Sequence, residues 1–129
     1  VKPAAIPVPE SAVLSGCVAY LDLMRAIPIR INSGGVKVED SRRRQGYRFV
    51  RFNHGRGISD ILACLRCGHF CAVECKSSRG KATVDQLAFI DQVKANGGVG
   101  CVIRSVDELV RELAQHSGHC PLEAKRKTA

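Results

Sequence analysis

The chain contains no long apolar run. The longest, such as Cys17 to Leu21 and Ile61 to Leu65, span five residues, far short of the ~20 that a membrane-spanning helix requires. It also lacks internal repeats and low-complexity segments. With 45% hydrophobic and 25% charged residues, 12 Gly and 5 Pro, it has the composition of neither a disordered chain, a collagen nor a coiled coil. Val1 to Pro9 holds no basic segment followed by an apolar core, the mark of a secretory signal. The expected location is therefore intracellular: a bacterial or phage-infected cytoplasm, or a nucleus if the source is eukaryotic. At 129 residues there is length for one hydrophobic core and not for two.

Acidic residues are the scarcer charge. Twelve Asp+Glu against 20 Lys+Arg leave a net +8, which points to a polyanionic partner. The excess concentrates in Arg42, Arg43, Arg44, Arg48, Arg51 and Arg56, a window without one acidic residue. Arginines tethered this closely can neutralise several phosphates together, although a solvated basic loop has the same composition. Membrane surfaces are also anionic, but no strongly amphipathic basic helix is present to bind one.

Seven cysteines, an odd number with no secretory signal, read as mostly reduced thiols rather than a disulfide scaffold. Cys64, Cys67, Cys71 and Cys75, with His69 among them, resemble a zinc knuckle, and Cys120 with His116 and His119 offers further ligands. Cys71 and Cys75 lie in a segment of strand character, which sets them some 13 Å apart on one face at about 3.3 Å per residue. They cannot share one ion. A structural zinc between Cys64, Cys67, His119 and Cys120 stays open, beside the simpler account of cysteines as small buried hydrophobes.

Residues 1–9 carry three prolines and form a lead-in. A helix is expected from Glu10 to about Arg25, with Val13, Cys17, Leu21 and Met24 as its apolar stripe. Pro28 to Asn32 reads as a short strand and Ser33-Gly34-Gly35 as a turn. The arginine-rich window reads as a loop containing a strand, Tyr47 to Phe52. Asp60 to Arg66 and Phe70 to Lys76 form a hairpin around Cys67-Gly68-His69. Thr83 and Gln86 have capping-box spacing and open a helix that buries Leu87, Ile90 and Val93 and stops at Asn96-Gly97-Gly98. Val99 to Arg104 is a last strand. Ser105 and Glu108 open a final helix with Val106, Leu109, Val110 and Leu113 buried. The domain is thus 10–115, followed by a basic tail, 116–129. A helix between two sheet segments implies a crossover, hence an α/β fold with a mixed sheet flanked by helices.

The segment Glu74-Cys75-Lys76 carries the chemistry. Alternate strand residues point the same way, so a carboxylate and an ammonium stand side by side, and the hairpin brings Asp60 next to Glu74. Hard divalent cations such as magnesium seek such oxygens, and a lysine nearby can orient or deprotonate a water. That is the composition of a phosphodiester-cleaving site, although an exposed Glu and Lys on one strand face are also commonplace.

The run Gly57-Ile58-Ser59-Asp60-Ile61-Leu62-Ala63, then Gly68-His69-Phe70-Cys71-Ala72-Val73-Glu74-Cys75-Lys76, then Gly80-Lys81-Ala82-Thr83 with Gln86, resembles the VRR-NUC (virus-type replication-repair nuclease) family of the PD-(D/E)XK nuclease superfamily. The similarity extends to Glu10, to Arg30-Ile31-Asn32-Ser33-Gly34, to Gly97-Gly98 and to the Ser105 to Glu108 helix start. It implies a restriction-endonuclease-like core of order αβββαβα, of the stand-alone type. It further implies a Mg2+- or Mn2+-dependent endonuclease that acts as a homodimer on branched DNA such as four-way junctions or flaps, in replication, recombination or repair.

Carried onto this chain, the resemblance makes Asp60 and Glu74 metal-binding carboxylates, the carbonyl of Cys75 a further ligand and Lys76 the residue that positions the attacking water. Glu10 joins the metal directly or through a water, and Gln86 sits beside the site. Glu10 serves equally as charge at a helix N-terminus, and Gln86 as a cap. Arg30, Arg56 and Lys81 are candidates for phosphate contact near the site, and Arg42, Arg43 and Arg44 farther away. Asn32 and Ser33 orient backbone near DNA or shape a turn. Cysteines at 64, 67, 71 and 75 depart from the family's aliphatic or small residues. A non-catalytic DNA-binding module, zinc-stabilised or not, and a restriction-type enzyme reading a fixed sequence are the competing functions.

Overall fold

A computed structural model describes residues 6–31, 34–51 and 56–120. Its elements are helix α1 (Glu10–Leu23), strands β1 (Ile27–Arg30), β2 (Gly35–Glu39), β3 (Tyr47–Arg51), β4 (Ile61–Cys64) and β5 (Phe70–Cys75), helix α2 (Val84–Ala95), strand β6 (Val99–Ile103) and helix α3 (Val106–His119). Strands β1, β4, β5 and β6 form one sheet in that order. The first two pairings are antiparallel and β5 with β6 is parallel, so the sheet is mixed and α2 is its crossover. Among the described residues strands β2 and β3 pair with each other alone, as a separate ribbon. The order αβββαβα holds for the four-stranded sheet, and the ribbon makes the whole chain αβββββαβα. Strand β2 replaces what the glycines at 34 and 35 suggested was only a turn. Among the described residues no helix is long and apolar enough to cross a membrane.

The two sheet faces are covered by different helices. Val13, Cys17 and Leu21 of α1 and Leu109 and Leu113 of α3 pack with Ile61, Cys71, Val73, Cys75, Cys101 and Ile103. On the opposite face Ile90 and Val93 of α2 meet Ala72. Strand β5 is consequently buried on both sides from Cys71 to Cys75, as a central strand with a parallel neighbour should be. Each fully buried Leu or Ile contributes about 1.5–3 kcal/mol. Gly16 lets α1 close on α3, since a Cβ there would stand 2.7 Å from a Val106 methyl.

Several boundaries differ from expectation for local reasons. Met24 is the C-cap of α1 and 47% exposed rather than part of the stripe. Leu87 is also exposed, and Phe89 packs with Ile90 in its place. At α3, Ser105 accepts from the Glu108 N–H, but the Glu108 carboxylate accepts from the Arg104 N–H at 2.7 Å, so the expected box is only half formed. Helix α3 continues to His119, past the expected boundary at 115, and Cys120 behind it is buried in the core.

Candidate active site

The register that pairs Ile61 with Val73 sets Asp60 opposite Glu74 at the open end of the β4–β5 hairpin. Side-chain alternation along β5 turns Val73 and Cys75 into the α1/α3 core and Glu74 to the α2 face. The Cys75 N–H donates to Asp60 Oδ2 at 2.9 Å, which locks that carboxylate beside Glu74. The Cys75 thiol instead contacts Cys17 of α1, an interaction that lowers the Cys17 pKa and, with burial, raises that of Cys75.

Glu74 is 1% exposed. Its Oε1 accepts from Gln86 Nε2 at 2.8 Å and lies 3.0 Å from Lys76 Nζ. Its Oε2 is buried and, among the described residues, receives no hydrogen bond from an N–H or hydroxyl donor; the neighbouring acid there is Asp60. Burial, and then the adjacent Asp60 charge, raise the Glu74 carboxyl to about 7, against the pull of Lys76 in the other direction. Ser59 Oγ, immediately before Asp60 in sequence, is a second buried oxygen without a hydrogen-bond partner among the described residues. Two adjoining carboxylates with an unsatisfied oxygen are hard donors of the kind a divalent cation takes.

Gln86 resolves the choice between cap and site residue by doing both. Its Oε1 accepts from the Thr83 N–H at 2.8 Å while Thr83 Oγ1 accepts from the Gln86 N–H at 3.2 Å, leaving Nε2 for Glu74. Gly57 places this helix start. It has φ 71°, and a Cβ there would fall 2.3 Å from the Asp85 carbonyl, so only glycine lets the chain before Asp60 pass under the first turn of α2. Behind Lys76, whose N–H donates to Ile103 O at 2.9 Å, the Arg104 guanidinium donates to Gly80 O and ties down the 77–80 loop. The sequence placed Gly57 in the resembling run without giving it this role, and Arg104 only at the end of a strand. The parallel pairing of Cys75 with Ile103, continued by one residue, is the signal that puts Arg104 beside Lys76.

Asp60, Glu74, Lys76 and Gln86 are therefore brought together. Glu10 is exposed in the first turn of α1, and no described hydrogen bond or ion pair joins it to them. Arg30 ends β1 opposite Ile61, next to Asp60. Arg56 and Lys81 are exposed. Arg42, Arg43 and Arg44 are exposed in the turn between β2 and β3. Arg42, Arg43 and Arg48 stand 3.4, 3.8 and 3.9 Å from the Asp40 carboxylate, so an acid just outside the arginine window offsets part of its charge. Asn32 and Ser33 lie outside the described residues.

A second constellation occupies the other end of the hairpin. Cys67, His69, His116 and Cys120 present ligand atoms all within 4.8 Å of one another and could hold a metal ion. This corrects the zinc arrangement expected from spacing. Cys67 and Cys120 belong to it, but Cys64 is exposed with its thiol directed to Leu65 O, and His69 and His116 supply the imidazoles. The His119 side chain lies outside the described part of the structure.

Comparison of the chain with protein-family models, with curated proteins and with solved structures found no match.

Proposed function

We propose that this protein is a metal-dependent endodeoxyribonuclease of the PD-(D/E)XK type, similar to the stand-alone VRR-NUC enzymes, hydrolysing phosphodiester bonds in branched DNA such as four-way junctions or flaps. The observation that carries the reading is the Glu74 carboxylate. It is buried beside Asp60, its Oε1 is held by Gln86 and Lys76, and its Oε2 receives no donor among the described residues. A buried carboxylate oxygen without a donor is costly, and a Mg2+ or Mn2+ ion held by Glu74 and Asp60 would offset that cost and their mutual repulsion. Bound there, such a cation would supply Lewis-acid polarisation of the phosphate and acidify a water.

The chain's own groups do the rest. The Cys75 N–H fixes one Asp60 oxygen; Asp60 and Glu74 would hold the cation, with the Cys75 carbonyl as the further ligand the resemblance implies. Gln86 fixes the Glu74 rotamer. Lys76, 13% exposed and anchored on Glu74, presents an ammonium that aligns the attacking water and offsets charge developing on phosphorus. Arg30, Arg56 and Lys81 supply phosphate contacts in this reading, and the net charge of +8 favours a polyanion. The homodimer belongs to the same proposal, since two paired sites can nick symmetric strands of a junction.

The test is a time course on labelled four-way junction, flap and plain duplex DNA with Mg2+ or Mn2+. The native chain is compared with Glu74→Ala and Lys76→Ala, whose folding is checked by circular dichroism. The expected result is metal-dependent cutting, strongest on a branched substrate and reduced at least about 100-fold in both variants. Cutting that survives in both overturns the reading. Cuts clustered at one sequence of a random duplex indicate a restriction-type enzyme. Binding without hydrolysis indicates a DNA-binding module, a function favoured by the exposed arginines and the second, Cys/His constellation.

A further inference from the structure

We propose that Cys67, His69, His116 and Cys120 form a structural zinc site that clamps the end of α3 to the tip of the β4–β5 hairpin. Both pairs of ligands are positioned by backbone geometry. The turn from Leu65 to His69 is closed by the Gly68 N–H donating to Leu65 O at 2.7 Å and the Leu65 N–H donating to His69 O at 2.9 Å. Gly68 at φ 90° reverses the chain, so that Cys67 and His69 on either side of it converge. His116 and Cys120 are separated by four residues across the last turn of α3 and its C-cap, the spacing that puts two side chains on one helix face.

The distances suit one tetrahedral ion. Zn–S bonds of about 2.3 Å and Zn–N bonds of about 2.0–2.1 Å imply ligand-to-ligand edges of about 3.3–3.8 Å. Cys67 Sγ lies 3.2 Å from His69 Nδ1 and 3.4 Å from His116 Nε2, and Cys120 Sγ lies 3.7 Å from His69 Nδ1. The widest pair, within 4.8 Å, closes to such an edge with a shift of about 1 Å.

Hydrogen bonding leaves one contact of the His69 ring unserved. A ring nitrogen has one lone pair or one N–H, yet His69 Nδ1 faces two sulfurs, whereas a central ion serves all four groups at once. Two sulfurs and two imidazoles select zinc over the hard cations suited to Asp60 and Glu74. Four protein ligands close the coordination sphere, as in a structural rather than a catalytic site. Five strand residues, about 16 Å, separate His69 from Glu74, so this ion takes no part in the chemistry there.

The test measures metal in the intact chain, purified without chelators, by elemental analysis. About one zinc per chain is expected, lost in Cys67→Ser and Cys120→Ser and retained in Glu74→Ala, which separates this site from the carboxylate site. Because the cysteine variants can fail to fold, the native protein is also stripped with a chelator and given Co2+. A visible absorption band of tetrahedral thiolate coordination is expected, bleached by stoichiometric Zn2+, and the stripped protein should melt at lower temperature than the zinc form. A chain that takes up no zinc when refolded with it and gives no such Co2+ band overturns the proposal. Zinc that disappears in Glu74→Ala does the same, by placing the ion at the carboxylates.

Discussion

Glu74 combines two costs that ordinarily exclude a carboxylate from an interior: it is buried, and it faces another acid. Its carboxyl is raised from 4.5 to about 7, first by burial and then by Asp60, with Lys76 opposing. The folded state therefore holds its proton more tightly than the unfolded chain does. The resulting stabilisation is fully present below pH 4.5 and is lost as pH rises through about 7. For the metal-free protein the loss is about 3 kcal/mol by pH 8. Urea titrations at intervals across that range should show the midpoint falling. The variant Glu74→Gln, which cannot ionise, should lack that component of the slope, and millimolar Mg2+ should flatten it in the native chain by displacing the proton.

At the scale of elements, the site depends on how α2 meets the hairpin. Gly57→Ala combines a left-handed φ with a Cβ inside the Asp85 carbonyl, and should destabilise by about 2–4 kcal/mol in denaturant titrations. Under the nuclease proposal it should also abolish cleavage, by moving Gln86 off Glu74. Thr83→Ala removes one cap bond at a cost of about 1 kcal/mol and, under the same proposal, should leave cleavage largely intact, because the Gln86 to Glu74 bond does not involve the hydroxyl. Much of this region was legible in sequence. Alternation along Phe70–Cys75 separated Glu74 from Val73 and Cys75, hairpin pairing brought in Asp60, and the Thr83/Gln86 spacing fixed the helix start. The Cys/His cluster was legible only in part, since spacing within 64–75 says nothing about where the end of a helix forty residues later will dock. Strand β2 was hidden by two glycines, although Val36-Lys37-Val38-Glu39 alternates as a half-exposed strand does.

For the whole molecule, the basic charge is unevenly useful. Asp40 draws Arg42, Arg43 and Arg48 toward itself, while among the described residues no carboxylate is paired with Arg44. Under the DNA-binding proposal, log K against log salt should lose a slope of about 0.9 in Arg44→Ala if that residue neutralises one phosphate. Arg42→Ala and Arg43→Ala should each lose less. Fluorescence anisotropy of labelled DNA across a salt series measures this. Equal losses for all three would mean that Asp40 releases its partners on binding.

The position of Asp60 and Glu74 on paired strands also bears on how the chain assembles. A hairpin closed by a short turn is among the first non-helical structures a chain can make, on a timescale of microseconds. Zipping β4 against β5 toward its open end drives two negative charges together before α2 has delivered Gln86. The carboxylate pair is then a brake on folding at neutral pH. Stopped-flow refolding should run faster for Asp60→Asn than for the native chain, and faster for the native chain in Mg2+ than without it. A pair of side chains suited to gripping a cation would in that case make the cation a catalyst of the protein's own folding.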